Sequence, residues 1–226
     1  MKTLSPQGRV ERTRLSDSVY ETLLDAIISA RLAPGTIVSE VALAKQLEVS
    51  RTPVHDALRQ LAKDGLIEQR AGRRAIIRQF SKEDVHDIFE MRIILEGEAA
   101  RRAASRIDSA SLAHLRSVGE ELRVNPDRSD WVARWTDFDE EFHEAIAKAS
   151  GSSRLWQDIV RYRTLHRGLN RLATNPDCLQ TALAQHFQIL DALQMGDADA
   201  AARAMTDHIR QWQSHFVEHV VRPTSG

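Results

Sequence analysis

The chain has 226 residues, 42% hydrophobic and 28% charged, with 31 Lys and Arg against 32 Asp and Glu. That length fits two domains of moderate size, each with its own core, and that balance excludes a disordered or collagen-like chain. Cys178 is the one cysteine, which excludes an internal disulfide and a cysteine-rich zinc module; no stretch approaches the roughly 18 apolar residues of a membrane span, so a cytoplasmic location is expected.

Residues 1–14 carry basic side chains without an apolar run and read as an unstructured leader rather than a signal peptide. Leu15, Val19, Leu23, Ile27 and Ala30 recur at helical spacing and predict a first helix, stopped by Ala33-Pro34-Gly35. A short extended piece over 36–38 precedes a second helix over 39–47, and Glu48-Val49 forms a tight turn. Ser50 is placed to cap a third helix. Pro53 sits in that helix's first turn, where an amide would lack a partner, and Val54, Ala57, Leu58 and Leu61 form its buried stripe. Gly65 ends it, and strands over 66–70 and 73–78 flank Ala71-Gly72 as a hairpin. This order of elements is that of a winged helix-turn-helix, assigned to 1–79.

From Ser81 onward no strand signal survives. Periodicity and breakers predict about six helices, over roughly 82–106, 109–123, 129–149, 152–173, 176–195 and 197–221. The fold class is therefore mainly α: a winged helix-turn-helix followed by an all-α bundle over 80–226.

Charge separates the two parts. Residues 1–79 hold 13 basic against 9 acidic side chains, whereas 80–226 hold 18 against 23. Between Arg51 and Arg78 there are seven basic and three acidic residues, the asymmetry expected of a segment that meets phosphate. With the apolar stripe of the third helix buried, its opposite face presents Arg51, Thr52, His55 and Arg59, which suits a recognition helix in a major groove. Arg70, Gly72, Arg73 and Arg74 surround the hairpin tip, where a wing would follow the DNA backbone or enter the minor groove.

Pro34-Gly35, Ser39-Glu40 and the run SRTPVHDALRQLAKDGLIEQ from Ser50 to Gln69 resemble the DNA-binding domain of the GntR family of regulators. In that pattern the position of His55 is usually arginine and that of Arg74 usually glycine, departures that bear on the operator and not on the fold. MRIILEGEAARRAA from Met91, DEEFHEAIAKASG from Asp139, QHFQILDALQMGD from Gln185 and AMTDHI from Ala204 resemble the helical FCD-type effector domain of the FadR subfamily. The resemblance implies a divalent metal ion, zinc, nickel or manganese, held by Asp139, His143, His186 and His208. It also implies a small carboxylate effector paired with Arg92, for which the competing reading is a surface ion pair with Glu96. Asp139 and His143 are four apart and share a helix face, and an N3O set leaves coordination positions open for a ligand.

The implied function is a DNA-binding transcriptional regulator, a homodimer on a palindromic double-stranded operator whose affinity the effector controls. Arg161, Tyr162, Arg163, His166, Arg167 and Arg171 place several cationic groups on one helix, some of which can point inward. The alternatives are a metal-dependent enzyme with a nucleic-acid-binding head, a purely structural metal, and a metal sensor without an organic effector. The enzyme reading lacks a second zincin histidine, a phosphate loop and a Gly-x-Ser-x-Gly elbow.

Overall fold

The structure is a computed structural model describing residues 7–29, 31–69, 75–170 and 176–219. The chain divides into two units, Met1–Phe80 with Arg167–Arg171, and Ser81–His166 with Leu172–Gly226.

In the first unit the order is α1 (Gln7–Ile28), β1 (Ile37–Val38), α2 (Glu40–Gln46), α3 (Arg51–Lys63), β2 (Ile67–Gln69) and β3 (Ala75–Ile77). Helix α1 starts at Gln7, so residues 7–14 are helical and not an unstructured leader; Gln, Arg and Glu are favourable helix residues, which an absence of apolar periodicity had hidden. Strand β3 lies between β1 and β2, antiparallel to both, with Ile67 opposite Ile77 and Val38 opposite Ala75. Val19, Leu23 and Leu24 of α1, the stripe Val54, Ala57, Leu58 and Leu61 of α3, and Leu66, Ile67 and Ile77 are buried together as this unit's core. The α2–α3 turn is tight enough that Glu48 takes φ 55°, and Gly65, at φ 85°, ends α3 in the left-handed region that glycine enters without a Cβ clash. Ser50 stands at the N-cap of α3 with extended backbone, yet its side chain makes no capping hydrogen bond. Tyr20 donates its hydroxyl to Asp64 at 2.9 Å and the Gln60 amide donates to the same carboxylate, which ties the end of α3 to α1.

Beyond Phe80 the described elements are all helices: α4 (Lys82–Ala103), α5 (Ser109–Val124), α6 (Trp131–Ala149), α7 (Ser153–Asn170), α8 (Pro176–Gln194) and α9 (Ala198–His219). A reciprocal Ser81–Asp84 capping box starts α4, and Asp108 caps α5. Helix α4 packs along α9, where Gly97 is required: a Cβ there would lie 2.9 Å from Thr206 Oγ1. Phe89, Phe138, Phe142, Leu115, Leu122, Ile146, Ile189 and Met205 are buried in this bundle.

Candidate metal centre and DNA-reading face

Three helices deliver four potential ligands to one place. Asp139 and His143 lie one turn apart on α6, His186 is on α8 and His208 on α9; one ligand atom from each falls within 4.8 Å of all the others. The imidazole centroids are 4.8 to 5.5 Å apart, and the three rings are buried among aromatic side chains, with His186 stacked on Phe142 at 4.2 Å. His143 Nε2 and His186 Nε2 lie 3.6 and 3.3 Å from Asp139 Oδ1, but neither nitrogen makes a hydrogen bond.

Neighbouring side chains set which nitrogen is available on two of the three rings. His143 donates from Nδ1 to Glu96 Oε2, and His208 Nδ1 lies 2.8 Å from Gln185 Oε1, an acceptor. Each contact puts the proton on Nδ1 and leaves the Nε2 lone pair for a ligand, the arrangement outer-shell partners give to metal-binding histidines. Burial pushes the His186 and His208 pKa values below the ordinary imidazole value, more strongly for His208, whose histidine neighbours add to the effect; both rings are neutral near pH 7. Burial works to raise the Asp139 pKa, but Arg163 and the two facing imidazoles outweigh it and hold the group well below the carboxylate range.

Around these four sits a buried ionic frame. Arg92 donates from Nε to Glu96 Oε1 at 2.7 Å, with both side chains 3% exposed, so the pairing anticipated at the surface lies in the interior. Arg163 Nη2 donates to Asp139 Oδ2 at 2.7 Å and to its carbonyl at 3.1 Å, leaving Oδ1 turned to the histidines. Arg163 Nη1 and His166 Nε2 are buried without a hydrogen-bond partner, and burial followed by the charges of Arg92 and Arg163 keeps His166 neutral. Of the cationic run on α7, Arg163 and His166 thus point inward, on a buried stripe that begins at Ile159. That i, i+4, i+7 spacing was the signal that could have picked them out. Glu96, the acceptor for His143, was considered only as a partner of Arg92.

The remaining histidines divide. His55, His86 and His114 are exposed and engaged with Glu40, Gln213 and Glu141, whereas the side chains of His215 and His219 lie outside the described part. On the first unit, Arg51, Thr52, His55 and Arg59 are all exposed on the face of α3 opposite its buried stripe. Arg70, Gly72, Arg73 and Arg74 lie outside the described residues, as does the hairpin tip they surround. No helix among the described residues is long and apolar enough to cross a membrane.

Comparison with known proteins gives these features a family. Residues 87–211 match the FCD domain, and residues 15–77 match the bacterial regulatory proteins of the gntR family. The chain is 29% identical over 198 residues to the HTH-type transcriptional repressor RspR of Escherichia coli K12, covering 87% of this chain and 86% of that protein. It is 30% identical over 211 residues, 89% of this chain and 88% of the other, to a Paenarthrobacter nicotinovorans protein named "Probable D-xylose utilization operon transcriptional repressor". The solved structure of E. coli McbR/YncC shares the fold with a TM-score of 0.76 at 23% identity, over 90% of this chain and 97% of that one. Both sequence relatives are named as repressors of transcription, and the metalloenzyme alternative is not favoured. The chain belongs to the GntR family of transcriptional regulators, with an FCD domain as its helical part.

Proposed function

We propose that this regulator reads a palindromic operator as a homodimer and that a small carboxylate, bound at or beside a divalent ion, controls its operator affinity. The observation that carries the reading is the convergence of Asp139, His143, His186 and His208 in a buried site where three ring nitrogens, His143 Nε2 and both of His186, have no hydrogen-bond partner. Buried polar atoms are normally satisfied, so these ring nitrogens are open for a ligand such as a metal ion. The donor set fits a borderline divalent ion such as zinc or nickel, or the harder manganese, and the ion would supply a Lewis-acidic position for an organic oxygen.

Charge supports the carboxylate. Arg92 balances Glu96 and Arg163 balances Asp139, so a divalent ion adds positive charge that an organic anion would neutralise. Arg163 Nη1 and His166 Nε2 supply unused polar atoms beside it, and Arg92 would have to exchange Glu96 for the effector to pair with it directly. On the DNA side, Arg51, Thr52, His55 and Arg59 would meet base edges and phosphates in the major groove, and Arg70, Gly72, Arg73 and Arg74 would form the wing. Two heads on half-sites one helical turn apart account for the dimer, and effector binding would shift its population between arrangements of different operator affinity.

The test combines elemental analysis of the purified protein with fluorescence anisotropy on a duplex it selects from a random pool. Bound metal in stoichiometric amount, and a response to a panel of small carboxylates that disappears after chelation, are expected. Protein without metal, whose DNA binding ignores both metal and carboxylates, would overturn the reading. A response to metal alone would make the protein a metal sensor. Arg51→Ala/Arg59→Ala is expected to lose specific binding, at about 1 to 3 kcal/mol for each base-reading side chain, and Arg73→Ala to flatten the salt dependence by about one unit of slope.

A further inference from the structure

Glu40 lies in the first turn of α2 and meets two side chains of the exposed face of α3. Its Oε1 is 2.9 Å from His55 Nδ1 and its Oε2 is 3.6 Å from Arg51 Nη2. The His55 hydrogen bond, with help from Arg51 and against a small burial penalty, lowers the Glu40 pKa, so the group is a carboxylate at neutral pH and can only accept. The proton of the neutral His55 ring is therefore on Nδ1. Nε2, directed away from Glu40, carries the lone pair.

That assignment decides what His55 can read. In a major groove an acceptor matches the exocyclic amino groups of adenine and cytosine and opposes the oxygen acceptors of guanine and thymine. A ring free to exchange tautomers would accept either class.

We propose that Glu40 is a specificity-determining positioning residue: by holding the hydrogen of His55 on Nδ1 it makes Nε2 an acceptor that favours adenine or cytosine over guanine or thymine at the base it faces. This rests on the reading of α3 as the operator-reading helix. Glu40 acts through His55, and its second oxygen restrains Arg51 on the same face. The charged groups near His55 are Glu40 from α2 and, on its own helix, Arg51, Asp56 and Arg59.

The experiment uses the full chain and the duplex it selects from a random pool, with single base-pair variants measured by anisotropy. The position read by His55 is the one whose substitution His55→Ala no longer penalises. There the unaltered protein is expected to discriminate by about tenfold, and Glu40→Ala by less than about threefold, the scale of one base-edge contact. Glu40→Ala should keep or raise affinity for an unrelated duplex and keep its melting temperature, while Glu40→Gln, which retains an acceptor oxygen, should restore discrimination. Undiminished discrimination in Glu40→Ala overturns the proposal, and so does an equal loss on selected and unrelated duplexes, which marks a merely structural role. The Arg51→Ala/Arg59→Ala variant separates the two ideas. If it binds like the unaltered protein, α3 does not read DNA and both fall; if it fails while Glu40→Ala discriminates normally, only the role of Glu40 falls.

Discussion

The molecule uses one arrangement twice in opposite surroundings. Glu40 faces His55 Nδ1 and Arg51 where the three side chains are 26%, 46% and 69% exposed; Glu96 faces His143 Nδ1 and Arg92 where none exceeds 3%. The groups are alike, so the difference in their expected consequences belongs to the solvent. In the exposed trio water screens each charge, so the contacts add little stability and the outward-facing polar atoms stay accessible. In the buried trio the charges are held out of water, and each group depends on the others to be there at all.

The largest effect tests that dependence. Glu96→Ala leaves the Arg92 guanidinium buried without its partner and His143 without its acceptor, and is expected to cost about 3 to 5 kcal/mol in urea unfolding of the metal-free protein. A cost under about 1 kcal/mol would show that water reaches the frame and would erase the contrast.

Metal removal comes next. An ion bound by the folded state alone stabilises by about 2.7 kcal/mol at a hundredfold excess over its dissociation constant, so a chelator should lower the melting temperature measurably by calorimetry. His186→Ala/His208→Ala should abolish both the bound metal and that shift, while His114→Ala should leave them intact. Full occupancy in the double variant would place the ion elsewhere.

Acidification sharpens the comparison further. His166, His186 and His208 are depressed in the fold below their ordinary pKa near 6.5. The unfolded chain therefore takes up protons first, and the stability these rings contribute is complete above about pH 6.5 and lost as pH falls below it. Glu96 and Asp139, also depressed, keep their contribution until pH falls through the lower carboxylate range. Metal-free protein should thus lose stability between about pH 7.5 and about pH 5 in urea titrations, and a triple replacement of these histidines by Gln should flatten that decline. The smallest effect is on the exposed side: Glu40→Ala should change unfolding free energy by no more than about 1 kcal/mol.

How much of this could be read in advance depended on how far apart the interacting residues stand. The α3 face was legible because Arg51, Thr52, His55 and Arg59 share a helix whose apolar stripe points the other way. Asp139 and His143 were legible as a pair for the same reason; His186 and His208 entered through resemblance, since spacing cannot say which faces of α8 and α9 meet α6. The Arg92–Glu96 spacing was visible and its environment was not, because charged residues are seldom fully buried and an i,i+4 pair ordinarily marks a surface. The link from His143 to Glu96 spans 47 residues and that from Arg163 to Asp139 spans 24, so only the folded bundle reveals either. Helix α1 ran past its apolar repeat because helix propensity extends a helix where periodicity falls silent.

Gly97 carries a final consequence. It follows Glu96 on α4 and abuts Thr206, two residues before His208 on α9, at a separation no β-carbon would permit unchanged. The distance from the carboxylate that aims one imidazole to the helix that supplies another is therefore gauged by an omitted methyl group. Enlarging residue 97 is expected to spread α4 from α9 without altering any of the four candidate ligands, so the spacing of the site would change from a position that has no chemistry of its own.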